Sequence, residues 1–273
     1  MEKKDEFHRM LTPTPAWHYR SVGVKSIDLE LIQEEPLAIN VQGKTYATVM
    51  RTPGAERAHA AGFCLSEGIV DQLDDIRDIA LCDGDYSNVA AVMLSRERYE
   101  KVRSLLGGKN RMSQTSCGIC GREIIEDLGK LLTPVESSAT ISFDAAMEAV
   151  FQLKKIQRLR KRCFSSHAVA ILNNRLEQIS TAEDAGRHNA LDKAIGKLFL
   201  ERKLSQAAMA ILSSRASYEM IQKSARAGIE IVISMSRPTG LALDLANQLN
   251  MTLASVREEG LYVYSGRQRL QET

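Results

Sequence analysis

With 273 residues, 44% of them hydrophobic and 26% charged, the chain has the composition of a globular protein long enough to bury a large core. Its 36 Lys and Arg against 34 Asp and Glu leave a net charge of +2, so no overall field recruits nucleic acid or an acidic membrane. The start, MEKKDEFHRM, lacks the apolar run of a signal peptide and no window reaches a membrane-spanning length, so a cytoplasmic protein without membrane insertion is expected.

Residues 1–20 are polar, then marked by proline and aromatic residues (LTPTPAWHYR), and read as a flexible arm. From Val24 the pattern alternates apolar and polar residues over Ser26 to Leu31, Leu37 to Val41 and Thr45 to Arg51, with a turn at Gln42-Gly43. Ala55 to Glu67 reads as a helix closed by Gly68. Ile76 to Cys82 and Asn88 to Leu94 follow as strands, and Glu97 to Leu106 as a helix. Residues 21–106 thus suggest a mixed α+β N-terminal domain.

Residues 107–122 form a polar, glycine-led loop that carries SQTSCGICGR. Residues 123–273 read as a C-terminal α/β layered domain. It opens with a short helix, Ile124 to Leu132, and a long one, Phe143 to Arg162, N-capped by Ser142. The basic run KKIQRLRKR lies on one side of that long helix and reads as a solvated face. Continuous apolar strands then alternate with helices. The strands are His167 to Leu172, Glu177 to Thr181, Ala207 to Leu212, Ile229 to Ser234, Thr252 to Val256 and Leu261 to Tyr264. The intervening helices run from His188 to Lys203, Tyr218 to Ala227 and Gly240 to Leu249. No glycine-rich dinucleotide or P-loop element is present.

Five cysteines at wide spacing are not a disulfide framework, and Cys64, Cys82 and Cys163 read as small buried hydrophobes. The chemistry concentrates in Cys117 and Cys120, a C-x-x-C pair with a glycine after each cysteine. A structural zinc site needs four ligands, and neither a second C-x-x-C nor a clustered histidine accompanies this one. Zinc deaminase chemistry needs H-x-E and P-C-x-x-C, yet Ser116 precedes Cys117 and neither His59 nor His167 has the required glutamate. A dithiol redox pair prefers a helix start after a strand, whereas this pair sits in a polar loop. Flanking glycines suit an exposed sulfur that carries cargo as a persulfide, and Lys109, Arg111 and Arg122 favour its thiolate. On chemistry alone, sulfur transfer, dithiol redox and a metal-binding assembly scaffold all remain open.

Several blocks carry a resemblance. TSCGICG (115–121), EEPLAINVQG (34–43), RTPG (51–54), AGF (61–63), SEGI (66–69) and EDAGRHNALDK (183–193) resemble blocks of the formate dehydrogenase accessory sulfurtransferase family, FdhD/NarQ. So do SYEM (217–220), PTG (238–240) and VYSGRQR (263–269). The resemblance implies a sulfurtransferase that takes sulfur from a cysteine desulfurase as a persulfide. It would pass the sulfur to the molybdenum cofactor, bis-molybdopterin guanine dinucleotide, bound as a substrate and destined for formate dehydrogenase. It further implies Cys117 as carrier with Cys120 assisting, a homodimer, and a C-terminal domain of cytidine-deaminase-like type with a mixed sheet and flanking helices. By position, cofactor binding falls on Val256, Arg257, Glu258, Glu259, Gly260 and Leu261. One departure stands out: family members carry a Gly-Gly turn before the histidine matching His167, where this chain has Cys163-Phe164-Ser165-Ser166.

A guanine dinucleotide brings phosphates, which bind at cations and helix N-termini. Arg237 in SRPTG, Arg187 and His188 ahead of a helix, and Arg215 after a strand are candidates for that contact. Each has an ordinary alternative as an exposed arginine or a helix cap. Asp184 and Asp192 either accept guanine N–H groups or pair with a neighbouring base, and His59 reads as packed against Phe63.

Overall fold

The computed structural model describes residues 9–81, 88–107, 132–136, 139–258 and 260–271. A two-stranded ribbon comes first, β1 (Leu11–Arg20) antiparallel to β2 (Gly23–Ile32). A mixed four-stranded sheet in the order β4-β3-β6-β5 follows, built from β3 (Glu35–Val41), β4 (Lys44–Arg51), β5 (Ile76–Leu81) and β6 (Val89–Leu94). Helices α1 (Glu56–Ser66) and α2 (Arg96–Gly107) belong to this half. The β3–β4 turn places Gln42 and Gly43 both at positive φ, 51° and 77°, the twist that a two-residue hairpin turn requires.

The second half opens with β7 (Ile141–Ser142), which pairs with the terminal β14 (Leu270–Gln271). Helices α3 (Phe143–Ile156) and α4 (Arg158–Cys163) come next. Then β8 (His167–Leu172), β9 (Gln178–Asp184), α5 (Arg187–Leu200), β10 (Met209–Arg215) and α6 (Tyr218–Arg226) follow in turn. The chain ends with β11 (Ile231–Ser236), α7 (Gly240–Gln248), β12 (Thr252–Arg257) and β13 (Gly260–Ser265). The six-stranded sheet has the order β13-β12-β11-β10-β8-β9, with β10, β11 and β12 mutually parallel and β8 antiparallel to β10. The expected mixed α/β architecture with flanking helices is the one observed.

Two expectations are corrected. The arm expected over residues 1–20 is, from Leu11 onward, strand β1 in ten-residue register with β2. Its prolines mislead because Gln33 N–H donates to Met10 O. That sets even-numbered residues of β1 facing β2, so Pro13 and Pro15 lose only outward-pointing N–H groups. The single helix expected over 143–162 breaks at Gln157, where ψ is 82°. The break has a tertiary cause: the Glu183 carboxylate accepts from the backbone N–H groups of Leu159 and Arg160, both at 3.1 Å, and so starts a new helix. The basic run is the solvated face expected, with Lys154, Lys155, Arg158, Arg160, Lys161 and Arg162 all exposed, although two of its arginines also bind protein groups. Arg162 forks onto Glu30 of β2, and Arg160 donates to the carbonyls of Phe164 and Ser166. Ser142 does cap α3, accepting from Ala145 N–H. The cysteine loop, the short helix expected over 124–132 and Cys82 fall outside the described residues apart from Gly107 and Leu132.

One apolar core runs from Leu37, Ile39 and Val49 of the small sheet, through α1 and α5, to Val169, Leu212 and Val232 of the large sheet. A second cluster joins α3 to the far face of the large sheet through Val150, Leu153, Ile211 and Ile233. The two sheets meet where α1 crosses α5. A Cβ added to Gly62 would stand 2.0 Å from Asp192 O, and one added to Gly196 would stand 1.7 Å from Ala58 O. The backbones therefore touch. Around that crossing, the buried Lys193 donates to Asp184 (2.7 Å) and to Thr52 O (2.6 Å). The buried Lys223 donates to both oxygens of Asp192 (2.8 and 2.7 Å), which also accepts from Ser66 Oγ at 2.8 Å. Arg51, fully buried, lies between Glu35 at 3.2 Å and Glu56 at 3.0 Å. His59 is packed in the same layer, as expected, with burial first and Lys193 next keeping its imidazole neutral.

Gly196→Ala forces backbone apart at the crossing and is expected to cost about 3 kcal/mol, a fall of roughly 6–12 °C in Tm by calorimetry. Asp192→Asn strands the Lys223 ammonium in the core and is expected to cost about 3–5 kcal/mol by urea unfolding; a change under 1 kcal/mol would contradict this account.

Candidate functional site

Strand direction gathers the candidate residues. His167 begins β8 and lies opposite Asp184, the last residue of β9. Because β8 is antiparallel to β10, that edge coincides with the carboxyl ends of β10, β11 and β12, where Arg215 pairs with Ser236 and Arg257 with Gly260. Helices α5, α6 and α7 all start at this end, immediately after β9, β10 and β11. Each presents unsatisfied N–H groups and the positive end of its dipole.

Asp184 fixes the entry to α5. Its Oδ1 accepts from Gly186 N–H (2.8 Å) and Asn189 Nδ2 (3.0 Å), and its Oδ2 accepts from Thr52 N–H (3.1 Å) and Lys193. Asn189 also donates to Met50 O at 2.7 Å, so the small sheet helps hold this turn. A Cβ at Gly186 would stand 2.7 Å from the Asn189 amide, so a side chain there would push Asn189 off Asp184. Every oxygen of Asp184 and Asp192 is thus engaged within the protein, and the base-pairing alternative holds for both.

The turn delivers Arg187 and His188 to the sheet edge. His188 Nε2 lies 3.0 Å from the Glu219 carboxylate and 3.4 Å from Ser217 Oγ. The hydrogen bond from His188 holds Glu219 below the usual carboxylate range, aided by Lys223 and Arg187. Arg187 is half-buried; burial and the neighbouring Arg215 both disfavour its charge. Its buried Nε has no hydrogen-bond partner among the described residues. Burial, then Arg187, Arg160 and His188, push the His167 imidazole below its ordinary value. Arg187, Arg160 and His188 thus act on His167, and Arg215 on Arg187, with Asp184 opposite His167 and Glu219 tying His188 down.

Of the sequence candidates, Arg187, His188 and Arg215 come together. Arg237 is exposed in the β11–α7 turn at the same end, where Thr239 caps α7 by accepting from Ala242 N–H. Val256, Arg257, Glu258, Gly260 and Leu261 form the β12–β13 hairpin, with Val256 buried, Arg257 exposed and Glu258 at φ 56° in its turn. Glu259, Cys117 and Cys120 lie outside the described residues. Nothing in the sequence singles out Glu219 or Arg160 for this place. Glu219 sits in the SYEM block at the first turn of α6, a place where an acid usually serves the helix dipole. Phe164, in the segment that departs from the family pattern, adopts φ 58° and ends α4, and Cys163 Sγ stays with Leu159 O. The buried Cys64 is inert, because burial pushes its thiol far above the usual range. Among the described residues, no group of three or more His, Cys, Asp or Glu gathers as metal ligands, and no helix is long and apolar enough to cross a membrane.

Comparison with known proteins matches this layout. The model of the FdhD/NarQ family covers residues 32–271. The sulfur carrier protein FdhD of Bordetella bronchiseptica is 36% identical over 242 residues, covering 87% of this chain and 86% of that protein. The protein of the same name from Sulfurisphaera tokodaii is 34% identical over 243 residues, covering 87% and 90%. A crystal structure of a candidate formate dehydrogenase accessory protein from Desulfotalea psychrophila superposes with a TM-score of 0.77 at 23% identity, covering 96% of this chain and all of that one, which establishes a shared fold. With a family model spanning nearly the whole chain and relatives alike over most of their length, the chain belongs to the FdhD/NarQ family.

Proposed function

We propose that the chain is a cytoplasmic sulfur carrier and sulfurtransferase in the maturation of formate dehydrogenase, acting as a homodimer. In this reading, the Cys117 thiolate attacks the outer sulfur of a cysteine desulfurase persulfide. The donor's S–S bond breaks, its cysteine leaves as thiolate, and the sulfur is held as a persulfide on Cys117. Cys120 assists or relays: its thiolate attacks the inner sulfur of the Cys117 persulfide, and the S–S bond breaks. The outer sulfur leaves at the sulfide level for molybdenum in bis-molybdopterin guanine dinucleotide, the bound substrate. The two electrons come from the pair, which is left as a Cys117–Cys120 disulfide. The naming of the curated relatives as sulfur carriers supports the sulfur half of this reading.

The observation that carries the cofactor half is the unpartnered Nε of Arg187, beside Arg215 and His188 at the helix N-termini. A buried guanidinium N–H without an acceptor costs stability unless a ligand supplies one, and a phosphate oxygen suits it. Arg187 and Arg215, which repel each other, would share that anion. Arg237 and the hairpin residues Val256 to Leu261 would line the remainder of the dinucleotide. The strand order of the large sheet, with its first strand β8 between β9 and β10 and antiparallel to both, also supports the cytidine-deaminase-like type expected for this half.

Incubation with a cysteine desulfurase and free cysteine is expected to add one sulfur, about 32 Da, at Cys117 in wild-type protein and none in Cys117→Ala, read by intact and peptide mass. Tightly bound metal with no added sulfur would sink the carrier reading. Arg187→Ala or Arg215→Ala is expected to weaken binding of a guanine nucleotide diphosphate by about 10–100-fold in calorimetric titration, with a shallower salt dependence than wild type.

A further inference from the structure

Strand β10 spends one residue more than the strand beside it. Its parallel register with β11 runs from Met209 opposite Ile231 to Leu212 opposite Ser234, then resumes with Arg215 opposite Ser236. Three steps along β10 therefore match two along β11, a β-bulge at Ser213 and Ser214. The bulge decides which face of the sheet Arg215 occupies. Leu212 and Val232 face the core that α5 shares, whereas Ile211 and Ile233 face α3. Strict alternation from Leu212 would put Ser214 on the α5 face and turn Arg215 to the α3 face. Through the bulge Arg215 instead stands beside Ser236, which follows Ser234 by two residues and so lies on the α5 face. His167, two residues before Val169, is on that face too, and α5 brings Arg187 to it. The repulsion between Arg215 and Arg187 agrees with this placement.

Three hydroxyls hold the bulge. The pairing of β8 with β10 ends at Val169 opposite Leu212, and a ladder continued at that register would set Ala168 against Ser213. There the Ala168 N–H donates to the Ser213 hydroxyl at 2.8 Å. The buried Ser214 donates its hydroxyl to Arg215 O at 3.0 Å, and Ser234 donates to Ser236 O at 2.6 Å on the neighbouring strand.

We infer that Ser213 is a positioning residue for anion binding: its hydroxyl holds the β10 bulge that turns Arg215 onto the α5 face beside Arg187, where the two grip a diphosphate. This rests on the functional reading above, in which that pair binds the phosphates of the dinucleotide. Bulges beside binding sites commonly re-aim a side chain in this way. Without the Ser213 hydroxyl the Ala168 N–H loses its acceptor, which favours β10 running on unbulged against β8. In that form Arg215 points to the α3 side and the diphosphate loses a charge-assisted contact. A serine that merely satisfies Ala168 would affect stability alone, and its effect would not depend on Arg215.

The test titrates guanosine diphosphate by calorimetry into wild type, Ser213→Ala, Ser213→Thr, Arg215→Ala and Ser213→Ala/Arg215→Ala, with Tm recorded for each. Ser213→Ala is expected to bind about 10-fold more weakly than wild type, and Ser213→Thr, which keeps the hydroxyl, within about 2-fold of it. In the Arg215→Ala background the serine change is expected to have no further effect, because the two residues act as a unit. An equal loss from Ser213→Ala with and without Arg215 overturns the inference and leaves the anion reading standing. So does wild-type affinity in folded Ser213→Ala. If Ser213→Ala does not fold, the exchange Ser214→Arg/Arg215→Ser decides the same point. It is expected to bind no better than Arg215→Ala, and wild-type affinity would show that position 214 faces the ligand and overturn the inference. Wild-type protein with no affinity for guanosine diphosphate, or Arg215→Ala that binds as wild type does, overturns the anion reading and this inference with it.

Discussion

The glycine-on-glycine crossing of α1 and α5 is the contact on which the rest of the structure depends. With no Cβ at Gly62 or Gly196, backbone meets backbone, and the side chains on either side of the contact are drawn into one layer. That layer must accommodate Lys193 and Lys223, whose ammonium groups would be costly in an apolar interior alone. Asp184 and Asp192 offset the cost by direct pairing, and Thr52 O and Ser66 Oγ complete the hydrogen bonding from the N-terminal half. Each of these charged clusters thus has members from both halves of the chain. The crossing sets their distance, and they in turn reject any sliding of one helix along the other.

The same layer reaches the end of the large sheet where the candidate residues gather. Asp184 anchors the crossing through Lys193 and, through Gly186 and Asn189, shapes the turn into α5. Arg187 and His188 follow directly on that turn. Their placement is therefore a consequence of how the small sheet packs, since Met50 O and Thr52 contribute to the turn's hydrogen bonds. Parallel β10, β11 and β12 bring three strand ends and the following helix starts to one edge, so cations from distant stretches of sequence share one location. Such a cluster repels itself, and Glu219 offsets part of that repulsion by holding His188.

Much of the layout is legible in the chain. Alternating and continuous apolar runs mark the strands of both sheets, and Ser142, Gly68 and Gly228 mark helix ends through chemistry that acts within a few residues. The errors occur where a distant group decides. Gln157 interrupts a helical pattern because Glu183, on another element, offers its carboxylate to the next two N–H groups. Pro13 and Pro15 look like strand breakers until the register shows which way their missing N–H would point.

By itself the sequence determined the family, through blocks from residue 34 to 269, and it determined the C-x-x-C spacing and the residue types able to carry sulfur and bind phosphate. These are matters of local order and side-chain chemistry. Only the tertiary structure decided that Arg187, His188, Arg215, His167 and Arg160 share one end of a sheet, that Asp184 and Asp192 are structural, and that Glu219 belongs with His188. Strand order and direction place these residues together across long stretches of chain. A one-dimensional pattern carries period and spacing, but it does not carry which ends of which strands lie side by side.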